Sequence, residues 1–256
     1  MLRRALAVLA LLLAAAPAAA EAPNVAVAAN LNFAMPEIAA AFKRSTGLDV
    51  KLAFGASGNF SRQIREGAPF ELFISADEAN VKTLAAAGRT VDEGRVYAVG
   101  RLVLFAPAGS PVAVDADHAG LAAAVRAGTV RRLAIANPEL APYGNAAREA
   151  LQKQGLWDAL QGRIVLGENV NQTAQFALAG GVEAAFIPLS IVVAPGVREK
   201  GRWATVPETL HSRIVQRMVL VKGAGETARK LYDYMGGPEA QAILARHGFA
   251  VPGPAQ

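Results

Sequence analysis

The chain has 256 residues, 53% of them hydrophobic and 18% charged, with a formal charge of +5 and no cysteine. That length allows one large or two smaller domains and a sizeable core. The lack of cysteine excludes a disulfide scaffold, thiolate metal sites and a lipidated cysteine anchor, and the scattered positive charge gives no basis for a nucleic-acid partner.

The N-terminus reads as a cleavable secretory signal peptide, residues 1–20. Arg3 and Arg4 supply the positive region, Leu6 to Leu13 the apolar region, and Ala18, Ala19 and Ala20 the small cleavage residues. The apolar run is too short for a membrane anchor. Cleavage after Ala20 leaves a mature chain with a charge of about +3, because two of the 26 basic residues are lost against 21 acids. An exported chain without an anchor is expected to be soluble in the periplasm.

From Asn24 strand and helix patterns alternate. NVAVAA (24–29) suits a buried parallel strand. Asn30 or Asn32 is placed to cap a helix carrying Met35, Ile38, Ala39 and Phe42 on one face, and Gly47 ends it. LDVKLAF (48–54) alternates as a strand. Gly55, Ala56, Ser57 and Gly58 then turn into a short helix closed by Gly67. PFELFISAD reads as a strand, with Asp77 capping a helix that ends at Gly88. RVYAVGRLVLFAP (95–107) reads as one long strand stopped by Pro107.

A loop with Gly109, Ser110 and Pro111 leads to a helix begun at His118, then the strand RRLAIAN. NPELAPYG reads as a turn-rich loop before the helix NAAREALQKQGLWDAL, with Ala147, Ala150, Leu151 and Trp157 facing inward. The strand GRIVLG, the turn ENVN, the helix QTAQFALAGG and the strand VEAAFIPLS follow. The stretch from Arg202 reads as a loop and then a long strand over 213–222. Two helices from about Gly225 and a packing tail with Phe249 and Val251 end the chain.

This alternation predicts an α/β fold with mainly parallel sheets. The long runs 95–106 and 213–222 bracket a middle block with its own α/β pattern, so two lobes are expected, the first from 21–104 plus 207–256 and the second from 105–206. A cleft between lobes, at the carboxyl ends of strands, is where a ligand belongs.

Four strand-to-helix corners carry the candidate chemistry, two per lobe: Ala29-Asn30-Leu31, Ala56-Ser57-Gly58, Pro142-Tyr143-Gly144 and Glu168-Asn169-Val170. Facing one cleft, they would deliver helix N-terminal N–H groups, hydroxyls and an amide to one point. None contains a cationic residue, so an anion there would be held by dipoles and hydrogen bonds. Taken singly, each is equally an ordinary helix cap. Tyr143 stands out, because its phenol could donate to an anion.

A serine-hydrolase reading of Ser57 is an alternative. It requires Gly-x-Ser-x-Gly, but Gly55-Ala56-Ser57-Gly58-Asn59 lacks the second glycine. His118, His211 and His247 have no partner motif that would make one a base. Asp115, Asp117 and His118 read as a solvated turn, and no metal motif or P-loop is present.

The segments AANLNFAMPEIAAAF, FGASGNFSRQI, GAPFELFISAD, ANPELAPYGNAAREAL and GENVNQTAQFALAGGVEAAFIPLS occur in this order. With the leader, this series resembles the periplasmic molybdate-binding proteins of ABC transporters, over nearly all of the mature chain. The resemblance implies a two-lobed periplasmic binding protein of type II topology that is no enzyme and uses no cofactor. It implies a molybdate or tungstate dianion as ligand, an ABC permease as partner, and a monomer. By position it gives Asn30 (N–H and side-chain amide), Ser57 (hydroxyl and N–H), Tyr143 and Val170 (N–H) as ligands, with Ala29, Gly58 and Asn169 as further candidates. Several members place a tyrosine hydroxyl after the fourth helix, where this chain has FIPLS with Pro188. Tyr143 is expected to replace that hydroxyl, and Glu168 to point outward. A sulfate or other oxyanion receptor is the nearest alternative.

Overall fold

The computed structural model describes residues 22–115 and 119–251. The expected leader (1–20) and the Asp117–His118 pair lie outside the described residues.

Two five-stranded sheets share one topological plan. In the first, β1 (Asn24–Ala28) lies between β2 (Lys51–Gly55) and β3 (Leu72–Ile74), parallel to both. β10 (Ile214–Leu220) is inserted antiparallel between β3 and β4 (Arg95–Gly100). In the second, β6 (Leu133–Ala136) lies between β7 (Ile164–Gly167) and β8 (Ala184–Pro188), parallel to both. There β5 (Leu102–Pro107) is inserted antiparallel between β8 and β9 (Gly201–Thr205). Each sheet thus receives one internal antiparallel strand from a chain that has just left the other.

The strand period of two decides which face each residue serves. Val25 and Val27 join the cluster of α1 (Ala34–Thr46), whose Met35, Ile38 and Phe42 are fully buried. Ala26, Phe73 and Val219 point the other way, onto Phe60 and Ile64 of α2 (Ser57–Arg65) and Val81 and Leu84 of α3 (Ala79–Ala86). Gly47 closes α1 in the left-handed region at φ 73°, its N–H donating to the Lys43 carbonyl at 2.8 Å. The second sheet packs α4 (Ala119–Arg126), α5 (Pro142–Lys153) and α6 (Val170–Leu178) around one large core. A short α7 (Leu189–Val192) follows β8 in the same core. The last helices, α8 (Glu226–Met235) and α9 (Pro238–Arg246), return to α1, with Tyr234 edge-on to Phe42 at 5.5 Å. Phe249 is buried behind them, and Val251 packs on the same cluster.

The structure departs from the sequence reading in several places: the helix expected over 145–160 ends at Lys153, before a turn at Gly155, and the sheets are half antiparallel. Residues 95–107 form two strands in different sheets. Both halves are apolar and buried, so periodicity does not register that the chain changes sheets between Gly100 and Leu102; the sequence reading put that passage near 104. The stretch from Arg202 contains β9, an edge strand on β5, rather than a loop. Helix α5 begins at Pro142, so Tyr143 sits in its first turn and not in a loop. Neither Asn30 nor Asn32 caps α1, whose N-cap residue is Phe33 with no side-chain cap bond.

The ion pair between Glu78 and Arg217 ties the start of α3 to β10 at 2.7 Å, and Arg217 also donates to the Gly94 carbonyl at 2.9 Å. The Arg217 hydrogen bond holds the Glu78 carboxyl below its usual 4.5. Stability from a lowered carboxyl is present above the unfolded-state value and is lost as pH falls through the folded one. Glu78→Gln is therefore expected to flatten the fall in stability below about pH 4.5, read by urea unfolding across that range. An acid limb unchanged from wild type would contradict the assignment.

Candidate functional site

Each of the four corners follows the carboxyl end of a parallel strand. β1 runs into a 3-10 turn at Ala29–Leu31, β2 into α2, β6 through Asn137–Ala141 into α5, and β7 into α6. All four meet at one small cavity between the sheets. Ala28, Ala29, Asn30, Gly55, Ala56, Ser57 and Ala76 line it from one side. Ala141, Pro142, Tyr143, Asn169 and Val170 line it from the other. None of these side chains is charged.

Helix geometry leaves donors free there. The first i to i−4 bonds of the three helices are Phe60 to Ala56, Asn145 to Ala141 and Thr173 to Asn169, at 3.1–3.2 Å. The N–H groups of Ser57, Tyr143 and Val170 precede those bonds and have no acceptor among the described residues. Asn30 N–H lies likewise before the first bond of its turn, Asn32 to Ala29 at 3.2 Å. The helix dipoles add positive potential at the same point. Ser57, 1% exposed, contributes a further proton: Ala76 N–H donates to its Oγ at 3.0 Å, so the hydroxyl is left to donate elsewhere.

Two sequence candidates have other work. Gly58 N–H donates across the cleft to the Leu140 carbonyl at 2.9 Å, and Gly58 does not line the cavity. A Cβ there would stand 2.9 Å from that carbonyl oxygen, so glycine is what lets the two walls approach. The Asn169 side chain lines the cavity but caps α6, accepting from Asn171 N at 2.9 Å and Gln172 N at 3.2 Å. Glu168 lies outside the cavity lining, with Oε1 3.3 Å from Asn59 Nδ2 across the mouth.

The Tyr143 hydroxyl lies beside Gly100 and Gln216, neither of which lines the cavity. Its ring reaches toward Gly100, and its Oη lies 3.0 Å from Gln216 Nε2. Burial pushes the phenol's pKa well up, so the hydroxyl keeps its proton. The hydroxyl expected to replace a strand tyrosine hydroxyl thus sits against Gln216 and Gly100, and the donor that Tyr143 leaves unpaired at the start of α5 is its backbone N–H.

Asn30 is also tied to Gln216, its amide 3.0 Å from the Gln216 amide, while Ser190 Oγ donates to the Asn30 carbonyl at 2.7 Å. Gln216 and Ser190 escaped the sequence reading. A signal existed for Gln216: it alternates with Ile214 and Met218 on the inward face of β10, a polar residue at an apolar position. Ser190 left no such trace.

A larger hollow adjoins the cavity at Ala141 and Pro142, but Asp77, Glu78, Glu139 and Glu149 outnumber Arg213 in its lining and disfavour an anion. Among the described residues, no three or more His, Asp or Glu side chains converge as metal ligands, and no helix is long and apolar enough to cross a membrane.

The family model for bacterial extracellular solute-binding proteins matches residues 23–250. The chain is similar to the molybdate-binding protein ModA of Azotobacter vinelandii, 40% identical over 243 residues, 94% of each chain. It is also 40% identical over 238 residues to the molybdate-binding protein ModA of Rhodobacter capsulatus, covering 92% of this chain and 90% of that one. Among solved structures, the periplasmic molybdate-binding protein of A. vinelandii superposes with a TM-score of 0.81 at 30% identity, over 90% of this chain and all of that one.

Asn169→Ala is expected to lower folding stability by about 1 kcal/mol through loss of the α6 cap, measured by urea unfolding without ligand. An unchanged unfolding curve would release the Asn169 side chain from that role.

Proposed function

The chain belongs to the bacterial extracellular solute-binding proteins, and from that premise we propose that it captures molybdate in this cavity and delivers it to an ABC permease. Such proteins bind and release solutes and are not enzymes, so Ser57 is not a nucleophile. The observation that carries the reading is an uncharged, buried cavity onto which unpaired helix N-terminal N–H groups converge from both lobes. The relatives' molybdate-binding names support the choice of oxyanion.

In this reading Asn30, Ser57, Tyr143 and Val170 give their backbone N–H groups, Asn30 also its side-chain amide N–H and Ser57 its hydroxyl proton. Ala29 stands beside them as wall, and Asn169 acts through the helix it caps. A dianion in a dry cavity is unfavourable unless its oxygens are hydrogen-bonded throughout. Charge-assisted bonds supply roughly 1.5–3 kcal/mol each. Five or so, less desolvation and closure, bring binding to about −8 kcal/mol, the micromolar range, or beyond. The two lobes, 21–104 with 207–256 and 105–206, close on the ligand. The Gly58–Leu140 and Ser190–Asn30 bonds belong to that closed arrangement. Tungstate, nearly equal in size and charge, fits the same donors. The expected leader puts capture in the periplasm, by a monomer.

Donors alone also sort anions. Hydrogen phosphate carries a proton that needs an acceptor, whereas sulfate is excluded only by its smaller size. Calorimetric titration of the chain from Glu21 onward tests the reading. Molybdate and tungstate are expected to bind at one site, micromolar or tighter, with sulfate and hydrogen phosphate weaker. Ser57→Ala should weaken molybdate binding by about 1–3 kcal/mol, roughly 5–150-fold. No molybdate heat, or tighter sulfate binding, would sink the assignment, and unchanged affinity in Ser57→Ala would remove that hydroxyl from the site.

A further inference from the structure

Behind the cavity wall four side chains form a closed cluster: Asn30, Tyr97, Tyr143 and Gln216, each at most 2% exposed. The Asn30 amide lies 3.0 Å from one end of the Gln216 amide, and Tyr97 Oη lies 2.6 Å from that same end. The other end of Gln216 lies 3.0 Å from Tyr143 Oη, and Tyr97 Oη lies 2.9 Å from the Ser75 carbonyl.

Counting protons discriminates between the two senses in which the amides can point. With Asn30 Nδ2 facing Gln216 Oε1, Tyr97 has one proton for two acceptors, Gln216 Oε1 and Ser75 O. Tyr143 Oη receives a Gln216 N–H, and its own proton has no acceptor. Asn30 Oδ1 is buried with no partner. Unpaired groups of this kind are costly inside a protein.

The opposite sense removes the first two defects and turns the third into a donor, Asn30 Nδ2, left for an oxyanion to satisfy. Gln216 Nε2 then donates to Asn30 Oδ1 and to Tyr97 Oη, Tyr97 donates to Ser75 O, and Tyr143 donates to Gln216 Oε1. The one separation outside the usual range is 2.6 Å, slightly short for an N–H donor. The order is anchored at Ser75, whose carbonyl can only accept, so Tyr97 must give its proton there and take one from Gln216. Asn30 cannot turn alone, because Oδ1 and Oε1 would then face each other or two N–H groups would collide.

We propose that Gln216 is a positioning residue that fixes the sense of the Asn30 amide, so that Asn30 presents N–H rather than C=O to the oxyanion. This rests on the molybdate reading above and adds to it the device that keeps acceptors out of the cavity. Gln216 thereby sets the preference for a bare oxyanion over a protonated one. Local structure supports the placement. The pairing of β10 with β4 shifts register between Gln216 and Arg217, and Gly100, paired with Ile214 on the same strand edge, has no side chain where one would overlap Tyr143 Oη and the Gln216 amide.

The test is calorimetric titration with molybdate, with and without excess phosphate at pH 6, where phosphate is protonated. For the wild type, phosphate is expected to leave the molybdate curve unchanged. Gln216→Glu, when ionised, offers only acceptors, which forces Asn30 to turn its carbonyl oxygen to the cavity. Gln216→Met removes the ordering without adding charge. In both, molybdate affinity should fall by about tenfold or more and phosphate should begin to compete. Tyr97→Phe removes the anchor with little change in volume and should also admit phosphate, which keeps the test open if Gln216→Glu fails to fold. Thermal melting of each ligand-free variant reports folding. Folded variants that bind molybdate and still ignore phosphate would overturn the role of Gln216 while leaving the molybdate reading intact. A wild type that binds no molybdate would overturn both.

Discussion

Three helices and a 3-10 turn start at one buried point with N–H groups that nothing among the described residues satisfies, and the rest of the structure follows from that constraint. Orphan donors at a helix start are ordinary when water reaches them. Here the walls are alanine, glycine, proline and valine, and Asn30, Ser57 and Tyr143 are almost fully buried. Such a cavity is unfavourable when empty and favourable around a group whose oxygens accept on every side. The absence of a lysine or arginine in the wall makes the hydrogen-bond geometry, and not net charge, the source of selection.

The doubled sheet plan explains how four corners reach one point. Both sheets end their parallel strands toward the cleft, and each takes an internal antiparallel strand from the chain crossing between them. The crossings lie close to the cluster of Gly100, Tyr143 and Gln216, so the wall of the cavity and the passage between sheets share side chains. Tyr143 belongs to both: its N–H opens on the cavity, and its hydroxyl is built into the crossing. Gly58 has a comparable double constraint, since its missing side chain permits the wall-to-wall bond with Leu140.

Much of this was legible in the sequence. The corners at Asn30, Ser57, Tyr143 and Val170 were visible as small or polar residues between a strand pattern and a helix pattern, and the structure brings all four to one cavity. The αL glycine at 47 and the Asp77 cap followed from local rules, Asp77 Oδ1 accepting from Asn80 N at 3.1 Å. Sheet membership was not legible. Val99 and Val103 look alike in sequence, yet they lie in different sheets, because pairing partners are chosen by tertiary packing. β9 was lost for a related reason, since an edge strand half open to solvent lacks the apolar run of a central one. The direction of the Tyr143 hydroxyl was decided by Gln216, 73 residues away, and local pattern carries no such distance.

The central claim is the place and the manner in which the oxyanion is held. A crystal structure of the chain grown with molybdate, with anomalous data collected at the molybdenum edge, tests it most directly. The account predicts a single anomalous peak between Asn30, Ser57, Tyr143 and Val170, with backbone nitrogens at about 2.7–3.2 Å from the ligand oxygens and no cationic side chain in contact. A peak in the acidic hollow beside Glu78 and Glu149, a lysine or arginine on the ligand, or no peak at all would contradict it.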